Sequence, residues 1–191
     1  MQSWNTLLPL YEWRYTVKRY TCFVIAMVTA FVFSCAGAPK KTGCVKGKCD
    51  TGSGTYVWAD GSKYEGDFRK GSFHGNGVYT WADGKSYSGA YDNGKFNGKG
   101  SFSWPDGKKY TGDFKAGAMA GKGKMIYPNG EVYEGDFKNN QCEGMGTYHY
   151  RDGKKYIGEF KNGAMEGKGK LVYPDGSVIE GRFMNGVFLD K

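Results

Sequence analysis

The sequence predicts an all-β protein, a stacked array of β-hairpins joined into one antiparallel meander. Three observations predict it. The pattern Tyr64-Glu65-Gly66-Asp67-Phe68 returns at Tyr87, Tyr110, Tyr133, Tyr156 and Ile179, start positions that differ by 23 each time with no insertion or deletion. A period that strict marks units that bury their apolar faces only against their neighbours. Glycine supplies 32 of the 191 residues and aromatic residues 17%, a pairing that calls for short strands, tight turns and stacked rings. Within each unit apolar and polar residues alternate with period two, as on a strand with one apolar face.

In chain order, residues 1–34 read as an export signal or a membrane anchor helix. The basic pair Lys18-Arg19 precedes the uncharged run Cys22 to Phe33, with small residues after it, the layout of a secretory leader. Val32-Phe33-Ser34-Cys35 resembles the lipobox of bacterial lipoprotein signals, which implies cleavage before Cys35 and a lipid on its sulfur. Cleavage after Ala38 and an uncleaved anchor remain open. Nineteen residues before the uncharged span that opens at Tyr20 is long for a leader, so a natural start at Val17, read from a GTG codon, is expected. The implied location is the cell envelope, with the outer membrane preferred because Ala36 follows the cysteine.

Residues 35–50 read as a tether. Cys44 and Cys49 enclose four residues, a spacing that closes a small disulfide loop in an oxidising compartment. Half a metal site is the rival reading, and no further Cys or His lies nearby to complete one. The loop stands where the first strand of the array is due, and so caps it.

Residues 51–191 are the array: a half repeat, five full repeats and a closing half. In the unit from Tyr64 to Ser86, Tyr64, Gly66 and Phe68 share one face of a first strand. Gly77, Tyr79 and Trp81 share one face of its return. Ala82-Asp83-Gly84 then turns the chain into the next unit, as do Pro105-Asp106-Gly107, Pro128-Asn129-Gly130, Arg151-Asp152-Gly153 and Pro174-Asp175-Gly176. Proline presets φ at the first corner, Asp or Asn suits the second, and glycine accepts the positive φ that follows. Gly66 and its equivalents lie on the ring-bearing face, where a missing side chain lets a ring lie flat on the backbone.

These repeats resemble the MORN family (membrane occupation and recognition nexus), whose consensus runs Tyr-x-Gly-x-Phe followed by spaced glycines and an aromatic. Asn140 stands where the other copies have glycine, and Ile179 where they have tyrosine. The resemblance implies an elongated, twisted, single-layer antiparallel sheet with a ring-lined groove. About twelve strands ~4.8 Å apart would span on the order of 55 Å. It also implies partners: a protein or peptide in the groove, or membrane lipids, as for junctophilins and plant phosphatidylinositol phosphate kinases.

The chemistry expected is contact rather than catalysis, with no cofactor and no metal. His74 and His149 fall at non-equivalent repeat positions. Glu65, Asp67, Asp113, Glu134, Asp136 and Glu159 lie opposite the rings, where Lys122, Lys124, Lys168 and Lys170 would pair with them. Gly121-Lys122-Gly123-Lys124 lacks P-loop spacing and a strand-to-helix junction. Cys142 aligns with Phe73 and Phe96 and reads as a packing residue. A catalytic domain, such as the SET-type methyltransferase that follows some MORN arrays, is not expected, since the repeat pattern runs to Lys191.

Net charge is +8, but the aromatics sit at fold-defining positions and the lysines mostly in turns, which argues against nucleic acid. The expected function is therefore a membrane-tethered, non-enzymatic scaffold. Its candidate contact residues are Tyr64, Phe68, Tyr79, Trp81, Tyr87, Tyr91, Phe102, Trp104, Tyr110, Phe114, Tyr127, Tyr133 and Phe137. The alternative is peripheral binding of anionic phospholipid headgroups by Lys85, Lys108, Lys109, Lys154 and Lys155.

Overall fold

The computed structural model describes residues 41–189. The expected export signal or anchor helix and the expected lipidation at Cys35 fall outside these residues. The described chain forms β1 (Lys41–Gly47), β2 (Gly52–Trp58), β3 (Lys63–Arg69), β4 (Ser72–Thr80), β5 (Ser86–Asp92), β6 (Lys95–Ser103) and β7 (Lys109–Lys115). It continues through β8 (Ala118–Ile126), β9 (Val132–Lys138), β10 (Gln141–His149), β11 (Lys155–Lys161), β12 (Ala164–Val172), β13 (Val178–Met184) and β14 (Val187–Leu189). All 14 strands belong to one open sheet in sequence order, each antiparallel to the next. The cysteine segment supplies β1, which pairs with β2 through two register irregularities. Cys44 and Cys49 form a disulfide, with their Cα atoms 5.8 Å apart.

Two turn types alternate. Within a repeat, two-residue loops hold both residues at positive φ: Lys70 and Gly71 at 50° and 70°, Asn93 and Gly94 at 48° and 78°. That is the type I′ turn, whose twist matches the strands it joins. Asn139-Asn140 does the same at 49° and 69°, so asparagine serves in place of glycine there. Its Oδ1 also accepts a hydrogen bond from the Met119 N–H at 2.8 Å. Between repeats the turn is type I with a glycine bulge. Gly84 N–H donates to Trp81 O at 3.0 Å, Trp81 N–H donates to Lys85 O at 2.9 Å, and Gly84 has φ 84°. The I′ tips also bond to one another: Gly94 N–H donates to Phe73 O at 2.9 Å, and Gly117 N–H to Phe96 O at 2.8 Å. These bonds tie each repeat to the one before it.

A single layer buries its rings here because the hairpin of every full repeat bends. Gly66 pairs with Gly77, but Asp67 pairs with His74, so Gly75 and Asn76 are extra residues on the return strand. Such a bulge bends the strand and increases its twist. The result is visible in Phe73, which pairs with Phe68 yet stacks on Tyr64, centroids 3.9 Å apart and planes at 14°. On a straight strand residues four apart would be ~13 Å from each other. The tip therefore folds back over the body of its own hairpin. Tyr87 and Phe96 repeat the stack at 3.8 Å and 15°.

The tyrosine enclosed by this fold is the core residue of each repeat. Tyr64, Tyr87, Tyr110, Tyr133 and Tyr156 all have 0% exposure. Their hydroxyls are satisfied from nearby backbone: Tyr64 donates to Asp67 O and Tyr87 to Ala90 O, both at 2.9 Å. Each ring also meets the next repeat, as in the edge-on contacts of Tyr64 with Tyr91 at 5.3 Å and Tyr87 with Phe114 at 5.0 Å. The core is thus a continuous column of rings along the sheet.

Candidate functional site

The column separates residues that pack from residues that can be touched. Ten of the thirteen candidate contact residues are core: Tyr64, Phe68, Tyr79, Tyr87, Tyr91, Phe102, Tyr110, Phe114, Tyr133 and Phe137 are at most 8% exposed. The folded-back tips cover them, so as contact residues they are corrected. Trp81, Trp104 and Tyr127 are half-buried and pack on the outside of the column. Tyr150 and Tyr173 do the same at the same repeat position. Their signal lay in the sequence, since each immediately precedes its inter-repeat turn. Trp58 occupies this position in the opening half repeat but is buried at 9%.

The outer row is set at its angle by the buried row inside it. Trp81 lies 4.5 Å from Tyr79 and 5.3 Å from Phe102, tilted to both. Trp104 lies 4.4 Å from Phe102, and Tyr150 lies 4.8 Å from Tyr148. One repeat is two strands, so successive outer rings stand ~9.6 Å apart. Flat apolar faces with polar edges at a fixed spacing suit an extended chain laid along the array.

The turn lysines are partly committed. Lys85 Nζ is 2.6 Å from Asp83, and Lys154 Nζ is 3.0 Å from Asp152. Lys154 and Lys108 also place their ammonium groups over the rings four residues before them, 4.6 Å from Tyr150 and 4.3 Å from Trp104. Lys109 and Lys155 open β7 and β11, and alternation puts them on the face opposite Tyr110 and Tyr156.

That polar face carries the carboxylates. Lys99 pairs with Asp113 and Lys122 with Asp136 at 2.7 Å, and Lys124 pairs with Glu134 at 2.6 Å. Ser88, Ser101, Thr111 and these lysines line an open trough of about 750 Å³. The motif carboxylate has a second task that sequence reading missed. Asp67, Asp113 and Asp136 each accept a bulge N–H, from Asn76, Lys122 and Met145, at 3.2 Å; Glu159 accepts from Lys168 at 3.1 Å. The Ser53 hydroxyl and the Asn76 N–H hold Asp67 below the usual carboxylate range. Ala90 stands at this position in the second full repeat and offers no acceptor.

The histidines are far apart in the sheet. His74 flanks the first bulge with Nδ1 3.5 Å from Asp92, and His149 ends β10. Cys142 is wholly buried and takes no part in the disulfide. Among the described residues no group of three His, Cys, Asp or Glu side chains is placed to hold a metal ion.

Fold and surface define a linear repeat protein whose described strands form one open sheet with a half-exposed aromatic row. Residues 51–63, 64–86, 87–109, 110–132, 133–155 and 156–178 each match the MORN repeat, about two thirds of the chain. The chain belongs to the MORN repeat family. No curated protein matches its sequence. Among solved structures it is similar to the SAS-4 (dCPAP) TCP domain of Drosophila melanogaster, solved with a proline-rich motif of Ana2 (dSTIL). That likeness has 16% identity over 69% of this chain and 72% of the other, with a TM-score of 0.46. The G-box domain of the microcephaly protein CPAP is similar at 17% identity over 70% and 82% of the two chains, with a TM-score of 0.40.

Proposed function

We propose that this protein is a non-enzymatic scaffold that holds an extended segment of a protein partner along its outer aromatic row. Trp81, Trp104, Tyr127, Tyr150 and Tyr173 are its contact residues. The observation that carries this reading is the division of the rings: one set is sealed in the core, while one set, once per repeat, stays half-exposed. Rigid aromatic side chains supply large contact area with little conformational entropy to lose. In this reading the leader delivers the array to the bacterial cell envelope, held by lipid on Cys35 or by an uncleaved helix.

Headgroup binding by the turn lysines has less behind it. Lys85 and Lys154 are neutralised by aspartates of their own turns, and Lys108 lies over Trp104.

The test uses a photoreactive amino acid at Trp81, Trp104 or Tyr173 in the full chain, expressed in the native cell. The reading expects the same partner to be captured from all three positions. Capture that is equal from Lys124, on the opposite face, would contradict it. For the tether, intact mass with lipid labelling decides, and an unmodified residue 35 removes the lipid anchor.

A further inference from the structure

We infer that the third full repeat contains a receiving site for a lysine side chain of the peptide partner, formed by Glu131 and Tyr127. This rests on the scaffold reading above and names a feature of its partner.

The site is defined by what the other repeats place there. The residue four after each outer ring faces that ring across the inter-repeat turn, with Trp104 N–H donating to Lys108 O and Tyr127 N–H donating to Glu131 O, both at 2.9 Å. In the second and fourth full repeats this residue is a lysine whose ammonium lies over the ring, 4.3 Å from Trp104 and 4.6 Å from Tyr150. A cation over an aromatic face is attracted by the ring quadrupole. In the third repeat the lysine is replaced by Glu131, so the array's own cation gives way to an anion beside Tyr127.

Glu131 is not a solvated surface variant. It is 6% exposed, and a carboxylate that deep is costly unless its charge is compensated. Its hydrogen bonds are unevenly shared. Oε2 accepts from Tyr148 OH at 2.7 Å and from Asn129 Nδ2 at 2.8 Å. Neither bond uses Oε1, which is not among the sealed polar atoms that lack a partner, and no ion pair found among the described residues involves Glu131. Satisfying the tyrosine does not require a charge. In the opening half repeat Ser62, 2% exposed, serves Tyr79 with a neutral hydroxyl. Glutamate therefore supplies one oxygen and one full charge more than the packing needs. Both are available to an ammonium group lying over Tyr127, where Lys108 lies over Trp104.

The chemistry selects a lysine side chain: an ammonium donor for Oε1, a methylene stem for the flanking rings, and a positive charge for a buried negative one. The peptide that carries it would lie along the outer row with this lysine in register with Tyr127.

The test uses the full chain in non-ionic detergent, with acetyl-Gly-Lys-Gly-amide as probe and its Nε-acetylated form as control, followed by NMR of ring protons. Saturable shifts at Tyr127 and Tyr148 with the lysine probe, absent with the control, are expected. Glu131→Gln keeps an acceptor for Tyr148 and should keep the fold, while weakening the probe at least tenfold. Glu131→Lys should fill the site from within and abolish the response. Equal shifts in Glu131→Gln, or none in the parent chain, would overturn the inference. Partner capture from Trp104 that is unchanged in Glu131→Lys would overturn it while leaving the scaffold reading intact. A saturable Tyr127 response with no capture from any outer ring would do the reverse.

Discussion

The ring of Tyr64 lies flat against Gly77, so closely that a methyl group on Gly77 would come within 2.6 Å of two ring carbons. Gly77 faces Gly66 across the sheet, and the pair leaves bare backbone for the ring to cover. The same relation joins Tyr110 to Gly123 and Tyr133 to Gly146. Gly77→Ala should therefore destabilise the array by about 1–3 kcal/mol, the range of overpacking in a close-packed core. Urea unfolding measures it. A loss below half a kcal/mol would mean that the ring can move aside.

Tyr91 stands where the other full repeats have phenylalanine, and its buried hydroxyl finds no partner among the described residues. Burial accordingly pushes its ionisation far up. Removing an unsatisfied buried hydroxyl relieves its desolvation cost, so Tyr91→Phe should stabilise by about 1 kcal/mol. A lower melting temperature would show that the hydroxyl is satisfied in solution.

The second full repeat also lacks the carboxylate that closes the other bulges. Ala90→Asp should supply an acceptor for the Lys99 N–H, as Asp113 does for Lys122, and add about 1 kcal/mol. Slower amide exchange at Lys99, relative to the parent chain, is the specific signature.

Burial raises the ionisation of Tyr64, Tyr87, Tyr110 and Tyr156 above the ordinary value of 10.0. The folded state thus favours their neutral form. Their contribution to stability is complete below about pH 10 and is lost as pH rises beyond it. Tyrosinate absorbance and loss of β-structure should therefore rise together in alkaline titration. Ionisation near pH 10 with the sheet intact would contradict the enclosed tyrosines.

Much of this fold is legible in the sequence, and for physical reasons. The gapless period gives the stacking, Asp-Gly and Asn-Gly give the turns, and alternation gives two faces, so Lys122, Lys124, Asp136 and Glu134 pair as expected. What alternation does not contain is the bend. Alternation puts Tyr64 in β3 and Trp81, just past the end of β4, on the same face; the bulge at Gly75-Asn76 is what folds Phe73 over Tyr64. Alternation therefore marks Tyr64 and its equivalents as ring-face residues without showing that they are sealed, and does not single out the half-buried Tyr150 and Tyr173. Glu131 carries no local signal of its burial, because its partner Tyr148 is 17 residues away.

The most direct test of the central claim, that the outer ring row is the contact surface, compares two positions one strand apart. A photoreactive amino acid is placed at Trp104, on the outer row, or at Thr111, in the polar trough, and the cross-linked peptides are sequenced. The account predicts one recurrent partner segment from position 104 and none from position 111. The same segment recovered from 111 and not from 104 would contradict it.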